Sequence, residues 1–259
     1  MKQFSIFFIG LLFIYSCKQD QEQPKDDNGK GAELLAQAVE KAGSKKLEAS
    51  NLSFNFRDVA YKSTRDCGFF KLQRTQLSEN GDTLIDILNN EGFTRLKNNQ
   101  EVTLVDSMKT KYSNSVNSVH YFAQLPFGLN DPAVNKFLLG ETTINKKPYY
   151  EVEVTFDEVG GGTDHEDVYV YWVNKESLTI DYMAYSYEVN DGGMRFREAY
   201  NVRDIEGVRF VDYKNYAPKK ENAPAVDELE RLFEEGNLKQ ISTIETSNIK
   251  LSLRDKKCN

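Results

Sequence analysis

The densest group of chemically capable side chains follows three glycines, in Gly160-Gly161-Gly162-Thr163-Asp164-His165-Glu166-Asp167. Imidazole and carboxylate ligate Zn²⁺, and carboxylates alone suit Ca²⁺. Asp164, His165 and Asp167 are therefore the candidate metal ligands. Their spacing matches neither a helical H-x-x-x-H pair nor a D-x-D-x-D-G loop, and neighbouring side chains at a strand start point to opposite faces. A solvated Gly-rich hairpin loop is the alternative reading. Only two histidines occur, His120 and His165. A His-dependent hydrolase would use His165 with Asp164 or Asp167, because His120 lies among large apolar residues in VHYFAQLPF and reads as core. The chain has no G-x-S-x-G elbow and no G-x-x-x-x-G-K-[ST] loop, so neither serine-nucleophile nor P-loop chemistry is indicated. No cofactor signature is present.

A second chemical pattern is a face rather than a motif. On residues 194–203, Arg195, Arg197, Asn201 and Arg203 share one strand face with Ala199, opposite Met194, Phe196, Tyr200 and Val202. On residues 181–189, Asp181, Met183, Tyr185, Tyr187 and Val189 alternate with Tyr182, Ala184, Ser186 and Glu188. Two readings stand. The stripe can be cross-strand Arg–Glu and Tyr–Tyr pairing on a solvated face. It can also be an Arg-lined groove built on Arg195 and Arg197, since a guanidinium grips carboxylate or phosphate with two hydrogen bonds.

The three cysteines, Cys17, Cys67 and Cys258, divide by position. Lys2 precedes an apolar run over residues 4–15. That run is shorter than the roughly 20 residues needed to span a bilayer but fits a signal-peptide core. It ends in Ile14-Tyr15-Ser16-Cys17, which resembles the lipobox of bacterial lipoproteins. The resemblance implies cleavage before Cys17 and acylation of that cysteine; more than one acyl chain is what makes anchoring stable. Cys67 and Cys258 remain, and an oxidising compartment allows them to pair; two free thiols are the alternative. Residues 18–31, KQDQEQPKDDNGKG, lack the apolar side chains that could offset chain ordering and read as a tether. Lys18, rather than Asp, after the cysteine resembles the Gram-negative pattern for release to the outer membrane, facing either the periplasm or the cell surface. The expected organisation is signal peptide 1–16, acylated cysteine and tether 17–31, and one β-rich domain over 32–259. The formal net charge of −7 argues against nucleic acid as a partner, since phosphate contacts need clustered Lys and Arg.

The elements that must position these groups are mostly strands. Residues 32–42 place Leu34, Leu35, Ala38 and Val39 on one helical face, with Gly43 as a stop. Period-two alternation then dominates: residues 52–57, 69–77, 83–88, 92–96, 102–105, 149–156, 178–189, 194–202, 208–216 and 241–253 read as strands, separated by Gly- and Asn-bearing turns. Residues 168–173, apolar on both faces, read as a central strand. Residues 225–235 read as a second helix, with Leu229, Leu232 and Phe233 on one side and Gly236 as its stop. Residues 114–139 break the pattern. They form a long aromatic-rich excursion, with Asn130-Asp131 as a turn and a short helix expected from Pro132.

The blocks NSVHYFAQLPFGLNDPAV, GGGTDHEDVYVYW, DYMAYSY, GGMRFREAYN and GVRFVDYKNY resemble a family of exported bacterial proteins known as a domain of unknown function, which implies no catalytic residues. The element order is also similar to the LolA and LolB lipoprotein carriers. That likeness implies a mainly β (α+β) fold: a strongly curved antiparallel sheet, or half-barrel, with an N-terminal helix and further helices covering the concave side. The functional expectation is an envelope lipoprotein, attached to the membrane through Cys17, that holds a lipid or other hydrophobic molecule beneath the 114–139 excursion. Phe54, Phe56, Tyr121, Phe122, Leu125, Phe127 and Trp172 are the candidate lining residues. The alternatives are the hydrolase above, metal- or His-dependent, and a non-catalytic module binding an envelope protein through the Tyr and Arg stripe.

Overall fold

The computed structural model describes residues 29–162, 165–187, 192–218 and 224–258. Helix α1 (Lys30–Lys41) buries Leu34, Leu35, Ala38 and Val39, the single apolar face its spacing dictates. Gly43 ends this segment with φ +63°, and a Cβ there would stand 2.0 Å from the Gly207 carbonyl oxygen. Only glycine meets both the left-handed backbone and the close approach. The Arg209 N–H donates to the Ala42 carbonyl at 2.9 Å beside it, so the helix end is tied to a hairpin far along the chain.

Six strands follow as an antiparallel meander: β1 (Ala49–Phe56), β2 (Val59–Asp66), β3 (Phe69–Leu77), β4 (Thr83–Asn89), β5 (Gly92–Lys97) and β6 (Gln100–Glu101). Helix α2 (Asp106–Gln124) carries the chain to a second meander: β7 (Val134–Ile144), β8 (Lys147–Phe156), β9 (Tyr169–Asn174), β10 (Ile180–Tyr187), β11 (Gly193–Ile205) and β12 (Val208–Pro218). After the short helix α3 (Leu229–Glu234), β13 (Leu238–Ile244) completes that sheet. The last strand, β14 (Thr246–Leu253), crosses to the first sheet and pairs antiparallel with β1. The sheet orders are β14-β1-β2-β3-β4-β5-β6 and β13-β12-β11-β10-β9-β8-β7. The protein is thus a mainly β fold of two curved, unclosed antiparallel sheets with helices packed on them, the class expected from sequence.

The sheets are joined through the chain, through a helix and through a shared core. Only Glu245 separates β13 from β14. Helix α2 packs on β3, β4 and β5 of the first sheet and reaches β12 of the second. Helix α1 covers β7, β8 and β9. The central strand β9 is buried along its whole length, because both faces of the second sheet are covered. Tyr169, Tyr171 and Val173 join one core with α1, while Val170 and Trp172 join another with Leu229 of α3. A third core, around Leu52, Phe54, Tyr61, Val208 and Phe210, packs the two sheets together.

Three local expectations are corrected. Residues 102–105 are not a strand but the approach to α2. Pro132 opens no helix: the Ala133 N–H donates to Asp131 Oδ1 at 3.1 Å and the Val134 N–H to the Asp131 carbonyl at 3.1 Å. This is an Asx-type turn, and it delivers the chain into β7. Residues 241–253 are two strands in different sheets, broken at Glu245.

Candidate functional site

The sequence of α2 is poor in strong helix formers, yet it puts one continuous stripe against a hollow. Ser107, Thr110, Lys111, Asn114, Ser115, Ser118, Val119, Phe122 and Ala123 recur at the i, i+3, i+4 spacing of a single face. Facing them, the second sheet supplies Tyr169, Tyr185, Tyr187, Arg195, Arg197, Val211, Tyr213 and Ile244, and β1 contributes Phe56. Together they enclose a cavity of about 800 Å³, open on one side. That size is within the range of small-molecule sites; the sheet side of the wall is largely aromatic, while α2 brings Ser, Thr, Asn and Lys side chains together with Val119, Phe122 and Ala123.

Register explains the wall. Tyr185 stands opposite Tyr169 on β9 and opposite Arg195 on β11, and Met183 stands opposite Tyr171 and Arg197. Side chains of one parity therefore project together on the concave face. Tyr169 and Tyr185 stack with centroids 5.3 Å apart, and Phe122 of α2 closes on Tyr185 at 5.4 Å. Behind them the Tyr121 and Tyr171 hydroxyls share a hydrogen bond of 2.9 Å. Burial pushes the phenols of Tyr121, Tyr169 and Tyr185 upward, so the wall carries neutral hydroxyls.

Helix α2 is fastened to the first sheet by charge. Asp86 of β4, 1% exposed, accepts from Arg74 Nε at 2.9 Å and from Arg95 Nε at 2.6 Å and Nη2 at 2.9 Å. Arg74 Nη1 donates to Ser115 Oγ at 2.7 Å, and the Arg95 guanidinium lies 3.6 Å from the Tyr112 ring centroid. Both contacts land on α2. The hydrogen bond to Asp86 is the main reason the Arg95 guanidinium holds its proton above the usual arginine range.

The sequence-derived candidates separate in space. Phe56, Phe122, Arg195 and Arg197 line the cavity. Phe54 stacks on Tyr61 and meets the edge of His120. Tyr121 and Leu125 belong to the core beside the cavity. Phe127 lies under the Arg65 guanidinium at 4.5 Å, in the wall of a shallow surface hollow near Cys67 and Cys258. Trp172 faces the opposite side of the second sheet, toward α3. The solvated-face reading of the Arg and Tyr stripe fails at Arg197, which is 6% exposed. The sequence reading did not place Tyr169, Tyr185, Val211, Tyr213 or Ile244 in the wall. Their shared parity across neighbouring strands was the signal available for them.

Cys67 and Cys258 are joined by a disulfide, with Cα atoms 5.1 Å apart. Cys17 and Asp164 lie outside the described residues. Asp167 is part of the cavity wall, and among the described residues no three His, Cys, Asp or Glu side chains group as a metal site. His120 is sealed in the core. Its Nε2–H donates to the Gln73 carbonyl at 3.2 Å, and its Nδ1 accepts from Gln124 Nε2 at 3.2 Å, which defines a neutral tautomer. Burial, with the nearby Arg65 charge, lowers its pKa to about 4. The unfolded chain, with an imidazole near its ordinary 6.5, binds a proton more readily, so His120 stabilises the fold above pH 6.5 and that contribution fades as pH falls toward 4. Urea unfolding at pH 7.5 and pH 4.5 is expected to show a loss of roughly 2–3 kcal/mol from this group. A His120→Gln chain should lose less over the same interval. An equal loss in both chains would assign the acid sensitivity to carboxylates alone.

Among solved structures, the chain is similar to a LolA superfamily protein from Nitrosomonas europaea: 12% identity, TM-score 0.47, covering 88% of this chain and 94% of that one. It is also similar to a DUF1329 family protein from Desulfovibrio piger: 12% identity, TM-score 0.41, covering 85% and 92%. No curated protein matches it. A family model matches residues 2–246, nearly the whole sequence, and by that match the chain belongs to DUF6503, a family of unknown function.

Proposed function

We propose that this protein is a non-enzymatic cell-envelope lipoprotein that binds a hydrophobic molecule in the cavity beneath α2. The observation that carries the reading is the cavity itself: about 800 Å³, walled by Phe56, Val119, Phe122, Tyr169, Tyr185 and Val211. A fold that needed these side chains only for its core would close them on one another, because protein interiors pack as densely as organic crystals. Here α2 meets the second sheet through Tyr121 and Phe122 but leaves a hollow beside that contact. The sequence supports the location: the apolar run at 4–15 and Ser16-Cys17 suit export and acylation, and residues 18–31 suit a tether that leaves the cavity free to face a membrane or the aqueous envelope. The expected attachment is to the outer membrane, through acyl chains on Cys17.

Lipid mass spectrometry of an organic extract of protein purified from its native envelope, without detergent exchange, tests this. The expected result is one amphiphile retained at close to one per chain. A Val119→Trp chain, its cavity obstructed by the indole, should retain less than a tenth of that amount with its melting temperature kept. Equal lipid in both chains, or none in the wild type, would refute ligand binding in the cavity.

A further inference from the structure

The cavity wall holds an unanswered positive charge. Arg197 of β11 is one of its lining residues and is 6% exposed. Its Nη2 donates to the Tyr185 hydroxyl at 2.7 Å, while its Nε and Nη1 are buried and have no hydrogen-bond partner. The guanidinium lies over Phe122, 3.9 Å from the ring centroid, with the Tyr185 and Tyr213 rings at 5.0 and 6.0 Å. Asn215, directly opposite on β12, turns its amide to Ser242.

The other buried arginines of the sheets are treated differently. Arg74 and Arg95 converge on Asp86, and the partly exposed Arg203 meets Asp212. No carboxylate of the described residues lies within ion-pair distance of Arg197. A buried charge without a counter-ion is strongly unfavourable, and rings can offset only part of that. The remaining wall is also electropositive. Lys111 and Arg195 line it, against Asp167 as the single carboxylate among the lining residues.

The geometry points to an anionic amphiphile as the ligand: an apolar chain in the aromatic cavity, and an oxyanion head group, carboxylate or phosphate, on Arg197. This deepens the proposed function and rests on the cavity being a binding site. A guanidinium offers five N–H donors in a fixed fork, and Tyr185 holds that fork in place while leaving donors for two oxygens of one head group. The Phe122 ring, which covers the guanidinium, is on α2, so seating the head group requires only that this side chain turn aside. Arg195, whose Nη1 donates to the Met194 carbonyl and whose charge lies 5.1 Å from the Tyr187 ring, adds attraction without being sealed in.

The test uses residues 18–259, which include every described element, delipidated and loaded with the neutral dye Nile red. Dodecanoate, dodecyl phosphate, dodecanol and inorganic phosphate are titrated as displacers. The expected result is that at least one of the two charged amphiphiles binds roughly 10- to 100-fold more tightly than dodecanol, the range of charge-assisted hydrogen bonds; which one does so identifies the head group. In Arg197→Met that preference should vanish, while the variant still takes up Nile red and keeps the wild-type circular dichroism spectrum, which shows it to be folded. Equal binding of acid, phosphate ester and alcohol by the wild type overturns the inference without touching the cavity reading, and needs no variant. A preference that survives in Arg197→Met overturns the assignment to this residue. Displacement by millimolar inorganic phosphate overturns the amphiphile in favour of a simple anion site. Displacement by none of the four overturns both readings.

Discussion

Asp86→Ala is expected to destabilise the protein by about 3–5 kcal/mol, the cost of stranding buried guanidinium groups. The reason lies in the balance at this position. Asp86 is 1% exposed and receives hydrogen bonds from two arginines that are each 9% exposed. With the carboxylate gone, two positive charges face one another in a poorly solvated space, and neither can reach water without tearing open the contact between α2 and β3–β5. For a chain of this length about 2–4 °C of melting temperature accompanies each kcal/mol, so the midpoint should fall by roughly 10 °C. The triple change Asp86→Leu, Arg74→Met, Arg95→Met should recover most of that, because apolar side chains of similar volume replace buried ion networks at little cost. If the triple variant is no more stable than Asp86→Ala, the effect belongs to packing rather than charge. Loosening α2 also removes the roof of the cavity, so ligand retention by Asp86→Ala should fall with stability, whereas in the triple variant it should return.

Removing the disulfide is the second large effect. Cys67 and Cys258 are 191 residues apart, and a crosslink closing so long a loop restricts the unfolded chain greatly. On the chain-entropy account the stabilisation is slightly over about 5 kcal/mol, and measured values for native disulfides are commonly about 2–5. The C-terminus has supports of its own: Lys256 Nζ donates to Asp66 Oδ1 at 2.6 Å and the Arg254 N–H to the Ala49 carbonyl at 2.9 Å. These contacts keep the native geometry when the bond is cut, so the Cys67→Ser, Cys258→Ser chain should fold and bind as before but unfold about 3 kcal/mol more easily. Reductant should lower the wild-type denaturation midpoint toward that of the double variant and leave the double variant where it is. A wild-type midpoint indifferent to reductant would contradict this.

How far the sequence revealed this protein depended on whether local pattern and tertiary demand agreed. In β8, Tyr150, Val152, Val154 and Phe156 face one core while Glu151 and Glu153 do not, and simple alternation identified that strand. In β9 both faces are covered, and its continuous apolar run said so. Helix α2 was illegible. Asp106 to Gln124 is rich in Ser, Asn and Thr, residues whose side chains compete for backbone hydrogen bonds, and its helical state depends on Arg74 and Arg95 reaching Ser115 and Tyr112 from another element. β7 was hidden for the converse reason: Asp131-Pro132 imitates a helix start, and only the Asx-type turn shows otherwise. The hollow lies under α2, whose second half is the start of the 114–139 excursion, and Trp172 and Phe54 do not line it: size and aromaticity alone do not select a wall. Which face a large side chain takes depends on register, and a one-residue difference in parity sends it to the other side of the sheet. Arg197 shows the same limit: its face was legible, but the lack of a carboxylate across from it belongs to the partner strands.

The pairing of β14 with β1 constrains the order in which the molecule can be completed. During synthesis the N-terminal meander emerges first, with Leu52 and its neighbours on β1 lacking the partners that Leu251 and the rest of β14 supply. An unpaired edge of that kind is a template for wrong association, and pairing between chain ends is slow to find. Ile244 and Thr246, which close one side of the cavity, arrive with the same final segment. Truncated chains therefore present sticky edges and no finished pocket, and the cavity is complete only once the last strand is in place.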